Sequence, residues 1–206
     1  EHLRYLATRS DRIRDAVPEL LFLRKVGRRH ILAVPWISGR SLLEAARSGE
    51  FAVGGMEPVI DWITHLHQET SKRRHFTEND YVRLVDISVD RIVRYICPPS
   101  SLERVLRETQ VFLRELIGCE LPFVMIHGDF EFGNVLVRPD GRMAVIDWEL
   151  ADQTGPPLLD LVHLLIAYPV NTRGLAYGEA VCNAFLDPGE YATYVDQQLK
   201  CYCTMI

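Results

Sequence analysis

Between residues 127 and 134 the chain reads HGDFEFGN, and eighteen positions after Asp129 a β-branched run closes on Asp147 in the string IDW. A histidine, two acids and an asparagine in a loop between apolar runs would be costly to bury without partners. The loop holds Asp129 and Asn134 five positions apart, and a hairpin after it would bring Asp147 back to the same place. An aspartate, an amide oxygen and a second aspartate form an all-oxygen set suited to Mg²⁺, a hard cation that keeps positions for water and substrate phosphates. Such an arrangement suits phosphoryl transfer. Asn and Asp also occupy turns and strand ends for backbone reasons. A turn-capping acid at Asp129, a turn residue at Asn134 and a strand-end cap at Asp147 are therefore the competing readings.

Positioning these groups takes a strand, a loop and a hairpin. LPFVMI, NVLV and MAVIDW are short β-branched runs, and the turn signal RPDGR predicts that the last two pair. Ahead of them the spacing is helical. MEPVIDWITHLHQETS is one helix, and NDYVRLVDISVDRIVRYI is a second. The second carries Val82, Val85, Val89, Ile92, Val93 and Ile96 as one stripe and is ended by Pro98 and Pro99. A capping box from Ser100 to Glu103 predicts a third, with Leu102, Val105, Leu106, Phe112, Leu113, Leu116 and Ile117 facing inward until Gly118 stops it. At the start of the chain, Leu3, Leu6 and Ile13 predict a helix to about residue 15. VPELLFLRKVGRRHILAVPWI follows as two strands joined by a Gly-Arg-Arg turn, and a capping box from Ser41 to Glu44 with a stop at Gly49 predicts a short connecting helix. After Asp160 the chain is helical through LVHLLIAY, loops near VNTRG, and ends in two helix-like pieces.

Composition narrows the partners. With 206 residues, 48% hydrophobic and 25% charged, the chain is that of a soluble globular protein. A net charge of −5 gives no electrostatic reason to expect nucleic acid, and the basic clusters RSDRIRD and RKVGRR read as a solvated helix face and a hairpin turn. The most apolar stretch, LLDLVHLLIAY, is interrupted by Asp160 and His163, which argues against export or membrane spanning, so a cytoplasmic location is expected. Five cysteines without paired C-x-x-C spacing read as free thiols in a reducing compartment.

The order of these residues matches the protein-kinase template of a catalytic-loop Asp, an Asn five residues on and a later metal-holding Asp. His127-Gly128-Asp129 stands for His-Arg-Asp and Asp147-Trp148-Glu149 for Asp-Phe-Gly. With GPPLLDL downstream, the chain resembles the aminoglycoside phosphotransferase and choline kinase family. The resemblance implies an α+β, protein-kinase-like fold. Residues 1–37 would be a partial N-terminal lobe, a helix and hairpin ending in the hinge, and residues 38–206 a mostly helical C-terminal lobe with short β-hairpins carrying the catalytic and metal loops. It further implies ATP (or GTP) and Mg²⁺ as cofactors. Asp129 would be general base or orienter of the acceptor hydroxyl, with Asn134 and Asp147 on the metal, His127 structural within the loop, and Asp160 bracing it. HILAVPWISGRSL looks like the hinge, where the Pro35 carbonyl and the Ile37 amide would flank Trp36 and bind adenine. The acceptor would be a small molecule with a hydroxyl. Glu131, Trp148 and Glu149 could line a pocket for a cationic group, with surface and packing roles as the alternative.

Two parts of the template do not occur in these residues: the glycine-rich loop and the strand lysine. Lys25, Lys72 and Lys200 are the only lysines, and Lys25 lies after the first helix rather than before it, while Glu1 is the available helix glutamate. The chain therefore reads as an N-terminally truncated phosphotransferase. An inactive kinase-like binding module is the alternative. A metal-dependent phosphoesterase built on His127, Asp129 and Asn134 is a third reading, weakened by the lack of further His and Asp clusters for a second metal. His65 and His67, two residues apart on a helix, do not share a face and are not expected to ligate metal.

Overall fold

A computed structural model describes residues 1–97 and 99–206. The chain divides into two compact units, residues 1–71 with 123–206, and residues 72–122.

The first unit opens with two short helices, α1 (His2–Leu6) and α2 (Asp11–Arg14), where the apolar spacing predicts one. Ser10 separates them because its N–H donates to Glu69 at 3.1 Å instead of continuing the helical ladder. Leu3, Leu6 and Ile13 are buried all the same. β1 (Phe22–Val26) and β2 (Arg29–Ala33) pair antiparallel with Val26 opposite Arg29, so the turn is Gly27-Arg28, with Gly27 at φ +62. β3 (Arg40–Ser41) leads into α3 (Leu42–Arg47) through the expected box: Glu44 N–H donates to Ser41 Oγ at 3.2 Å, and Ser41 N–H to the Glu44 carboxylate at 2.9 Å. α4 (Glu57–Thr70) buries Val59, Ile60, Trp62, Ile63, Leu66 and His67.

The second unit holds β4 (Lys72–His75), α5 (Glu78–Tyr81), a π-helical turn over Val82–Asp86, α6 (Ile87–Ile96) and α7 (Ser100–Arg114). The wide turn shifts the helical phase and splits the predicted stripe: Val85 and Val89 are buried, whereas Val82 and Ile96 are exposed. Helix α6 ends at Ile96 with Cys97 left-handed, and Pro98, predicted to end it with Pro99, lies outside the described residues. Pro99 takes the N-cap of α7, so Ser100 is already helical and caps nothing. Nor does α7 face inward as its spacing predicts. Leu102, Val105 and Phe112 are exposed, and Leu106, Leu113, Leu116 and Ile117 only half-buried, because so short a unit has little interior to offer.

The chain returns to the first unit in β5 (Glu120–Ile126). β6 (Val135–Val137) and β7 (Met143–Val145) form the predicted hairpin, with Val135 opposite Val145, and β3 pairs with β6 on its other edge. β8 (Asp152–Gly155) runs antiparallel to β5, with Ile126 opposite Asp152. α8 (Leu159–Arg173) continues through the segment predicted to loop, despite Pro169. A proline there leaves the carbonyl of Leu165 without its helical donor, and the Tyr191 hydroxyl supplies one. Tyr191 lies on α10 (Glu190–Met205), which follows α9 (Tyr177–Phe185). The core of this unit gathers Trp62 and Leu66 of α4, Phe130 and Phe132 of the 127–134 loop, Val135, Val145 and Trp148, and Leu161, Leu164 and Leu165 of α8. Among the described residues no helix is long and apolar enough to cross a membrane.

Candidate active site

The loop that follows β5 is held from below by a buried carboxylate. Asp160, in the first turn of α8 and 1% exposed, accepts the N–H of His127 at 2.7 Å and that of Gly128 at 3.0 Å. The His127 Nε2 donates to the Ile146 carbonyl at 2.8 Å, which leaves Nδ1 as the acceptor for Asp129 N–H at 3.3 Å. Burial pushes the proton affinity of this imidazole below its ordinary value, against the raising effects of the Ile146 hydrogen bond and of the Asp160, Asp129 and Asp147 carboxylates. The ring is thus a neutral strut, in line with a structural role.

Packing then fixes which loop side chains face out. Phe130 and Phe132 are fully buried, Phe130 stacked on Trp62 at 6.1 Å and Phe132 edge-on to Phe51 at 5.2 Å. Between and beside these anchors Asp129 and Glu131 stay partly exposed. Gly128 sits at φ +84, and a Cβ on it would lie 2.3 Å from the Leu150 carbonyl oxygen, so only glycine fits where the loop crosses the segment after Asp147.

Asn134 and Asp129 are in direct contact. The Asn134 side-chain nitrogen donates to the Asp129 carbonyl at 2.8 Å and to its carboxylate at 3.1 Å. Two acceptors on one side identify the nitrogen end of the amide and turn its oxygen to the other side. The Asn134 carbonyl accepts from Ile146 N–H at 2.9 Å, which puts Asp147 one residue away on the facing strand end. Asp147 is left-handed, φ +66 and ψ +59, a conformation Asp tolerates better than most residues. That turn sends Trp148 into the core and leaves Asp147 exposed. The Trp148 indole N–H donates to the Val145 carbonyl at 2.9 Å and the ring meets His127 edge-on, so Trp148 is largely buried, and it still contributes to the lining of the cleft that Asp147 borders. Among the described residues no three His, Cys, Asp or Glu gather in a metal-holding group. Two carboxylates and an amide oxygen are instead a sparse oxygen set, which fits Mg²⁺ and suits zinc or a second metal poorly.

Asp147 also borders a cleft of about 870 Å³ whose lining includes Leu32, Val34, Pro35, Trp36, Ile37 and Glu149. The segment predicted as the hinge and the predicted metal aspartate thus line one cleft, while Asp129 and Asn134 lie outside that lining. Trp36 is 90% exposed. Sequence spacing had no means of finding Phe130 and Phe132 as the loop's anchors, although their alternation with Asp129, Glu131 and Gly133 is a two-residue period.

A family model described as the phosphotransferase enzyme family matches residues 2–194. Among solved structures, the aminoglycoside phosphotransferase APH(3'')-Id from Streptomyces rimosus matches at 19% identity over 92% of this chain and 67% of its own, with a TM-score of 0.52. The same enzyme in complex with ADP and streptomycin matches at 16% identity over 99% of this chain and 73% of its own, with a TM-score of 0.53. A glucosamine kinase matches at 18% identity, with a TM-score of 0.53, and this chain covers 56% of it. These likenesses are of fold, and the chain spans roughly half to three quarters of the length of the structures it matches. No curated protein matches the sequence. Matched from His2 to Tyr194 and folded like these kinases, the chain belongs to the phosphotransferase enzyme family.

Proposed function

We propose that this chain serves ATP- or GTP-dependent, Mg²⁺-dependent transfer of the γ-phosphoryl group to a hydroxyl of a small molecule. The observation that carries this reading is the grip of Asn134 on Asp129, in a loop whose backbone is pinned by Asp160, beside a cleft bordered by Asp147. Asp129 accepts, or orients, the acceptor hydroxyl proton, and the braced loop keeps its carboxylate from swinging away. Asn134 and Asp147 would hold Mg²⁺. When bound, the metal neutralises charge on the phosphates. The Pro35 carbonyl and Ile37 N–H offer an acceptor and a donor to the adenine edge, with Trp36 between them. On this reading residues 1–37 belong to the nucleotide-covering lobe and residues 38–206 to the lobe that carries the chemistry.

The acceptor class we favour is a hydroxyl compound that also carries a cationic group. Glu149 on the cleft wall and the partly exposed Glu131 are suited to such a group. The names of two structural relatives, one solved with ADP and streptomycin and one a glucosamine kinase, point the same way. The test is a panel of hydroxyl compounds scored by ATP and GTP consumption on the full-length protein, with Asp129→Asn beside the wild type. The expected result is Mg²⁺-dependent consumption with a subset of acceptors and a fall of about 10²- to 10⁴-fold in the variant. Unchanged turnover in Asp129→Asn would remove the role given to that residue.

A nucleotide-binding module without transfer is the second reading. It would be favoured if the sequence upstream of these residues lacked the strand lysine and the glycine-rich loop. Nucleotide binding by calorimetry with no consumption for any acceptor would select it, and metal-dependent hydrolysis of a generic phosphoester without nucleotide would select a phosphoesterase instead.

A further inference from the structure

Beneath the loop lies a buried polar chain to which the mechanism above assigns no task. His67, on α4, is fully buried; its Nδ1 is 2.6 Å from the Tyr202 hydroxyl on α10 and its Nε2 is 3.5 Å from Asp160 Oδ2. That Nε2 has no hydrogen-bond partner within bonding distance. The Tyr202 oxygen in turn accepts the N–H of Leu158 at 3.3 Å. We propose that Tyr202 and His67 form a relay that orients the Asp160 carboxylate under the catalytic loop, which makes His67 a positioning residue for Asp129.

The direction of each hydrogen follows from elementary electrostatics. Were the His67 proton on Nδ1, the Nε2 lone pair would face a buried carboxylate 3.5 Å away, with no water to screen the repulsion. The Tyr202 hydroxyl therefore donates to Nδ1, and the ring proton sits on Nε2 and faces Asp160. Asp160 thus meets an N–H dipole on one side and the His127 and Gly128 amides on the other, and a buried anion needs each of these donors.

Tyr202 acts at a second point on the same lever. Leu158, whose amide it holds, is left-handed at φ +73 and immediately precedes α8, the helix that carries Asp160. The phenol thus fixes both the histidine that faces the carboxylate and the turn that sets where the carboxylate begins. From Asp160 the constraint passes to Gly128 N–H, one residue before Asp129.

The kinetic part of this inference rests on the phosphotransfer reading, and the structural part does not, so the experiment has two arms on the full-length protein. In the first, nitrogen-15 NMR of the His67 ring is expected to show the Nε2-protonated tautomer. Amide exchange at His127 and Gly128 is expected to accelerate about tenfold in His67→Leu and Tyr202→Phe, the change that one weakened charge-assisted hydrogen bond gives, while α4 amides hold. His67→Gln, whose side-chain N–H reaches the place of Nε2–H, is expected to restore the protection. In the second, the same Leu and Phe variants are expected to lower kcat about 10-fold or more, as outer-shell losses do, with KM for nucleotide held and with partial rescue in His67→Gln. An Nδ1-protonated His67, or unchanged exchange at both amides in Tyr202→Phe, overturns the relay. Altered exchange in a protein that transfers no phosphoryl group keeps the relay and removes the phosphotransfer reading instead.

Discussion

The side-chain nitrogen of Asn134 lies 2.8 Å from the Asp129 carbonyl and 3.1 Å from its carboxylate, so one amide holds the aspartate by backbone and side chain together. The same contact turns the amide oxygen away from Asp129 and leaves it free of that carboxylate, as the proposed role on Mg²⁺ requires. Asn134→Ala should therefore act twice, loosening Asp129 and weakening the metal. The expected outcome is a rise of about 10- to 100-fold in the Mg²⁺ concentration for half-maximal activity. Asn134→Asp should be worse, because it sets a second carboxylate against Asp129 at hydrogen-bond distance. A Mg²⁺ titration of activity on both variants is the measurement, and equal half-saturation points for wild type and Asn134→Ala would count against the metal role.

Gly128 is the tightest point of the loop. At φ +84 a side chain is already strained, and its Cβ would meet the Leu150 carbonyl at 2.3 Å, a backbone atom with no freedom to swing aside. Gly128→Ala should destabilise the chain by more than about 1 kcal/mol through the forbidden φ alone, with the clash added to it. Urea unfolding checks the stability. Activity in whatever fraction folds should drop as well, because relief of the clash must move the residue next to Asp129.

In the second unit the Asp80 carboxylate is the polar anchor. It accepts from Arg74 at 2.6 and 2.8 Å and from the Thr77 N–H and hydroxyl at 3.0 and 2.6 Å. The Arg74 hydrogen bonds, more than opposing burial, hold its proton affinity well below the usual carboxylate range. A depressed carboxyl contributes stability above the ordinary value near pH ~4 and loses it as the pH falls further, through the folded-state value. Asp80→Asn should cost about 1.5–3 kcal/mol at neutral pH, the usual worth of charged hydrogen bonds. The difference from wild type should shrink on acidification below pH ~4. Denaturant unfolding at several pH values measures it, and a gap that stays constant to low pH would contradict the assignment.

What the sequence made legible was local. The Ser41–Glu44 capping box, the Gly27 turn and the 135–145 hairpin are set by neighbours within a few residues, where backbone stereochemistry leaves few choices. What it hid depended on distant partners. Pro169 marks a break by its own chemistry, and only Tyr191, 26 residues from Leu165, lets the helix pass through. The His67–Tyr202 contact spans 135 residues and leaves no trace in spacing. Trp148 gives no sign in the sequence that its indole bonds the Val145 carbonyl while the residue lines the cleft, and α7 carries a stripe that its own small unit has no volume to bury.

His127 offers a test of whether the histidine of HGD handles protons or holds the loop. Burial, opposed by the Ile146 hydrogen bond and three carboxylates, keeps its proton affinity below that of a free imidazole. On acidification the unfolded chain takes up that proton first, near pH ~6.5, so native stability is full above that value and declines below it. His127→Gln keeps an N–H within reach of the Ile146 carbonyl but does not titrate. The expected outcome is a stability-against-pH curve that is flatter below pH ~6.5 in the variant than in the wild type. The NMR titration of the wild-type ring should show it still neutral at pH values where exposed histidines are charged. If His127 were instead a proton carrier, the variant would lose a limb of the pH–rate profile. A strut predicts the reverse, a profile of unchanged shape scaled down by whatever order the loop has lost, because the group that exchanges a proton with the acceptor is then Asp129 alone.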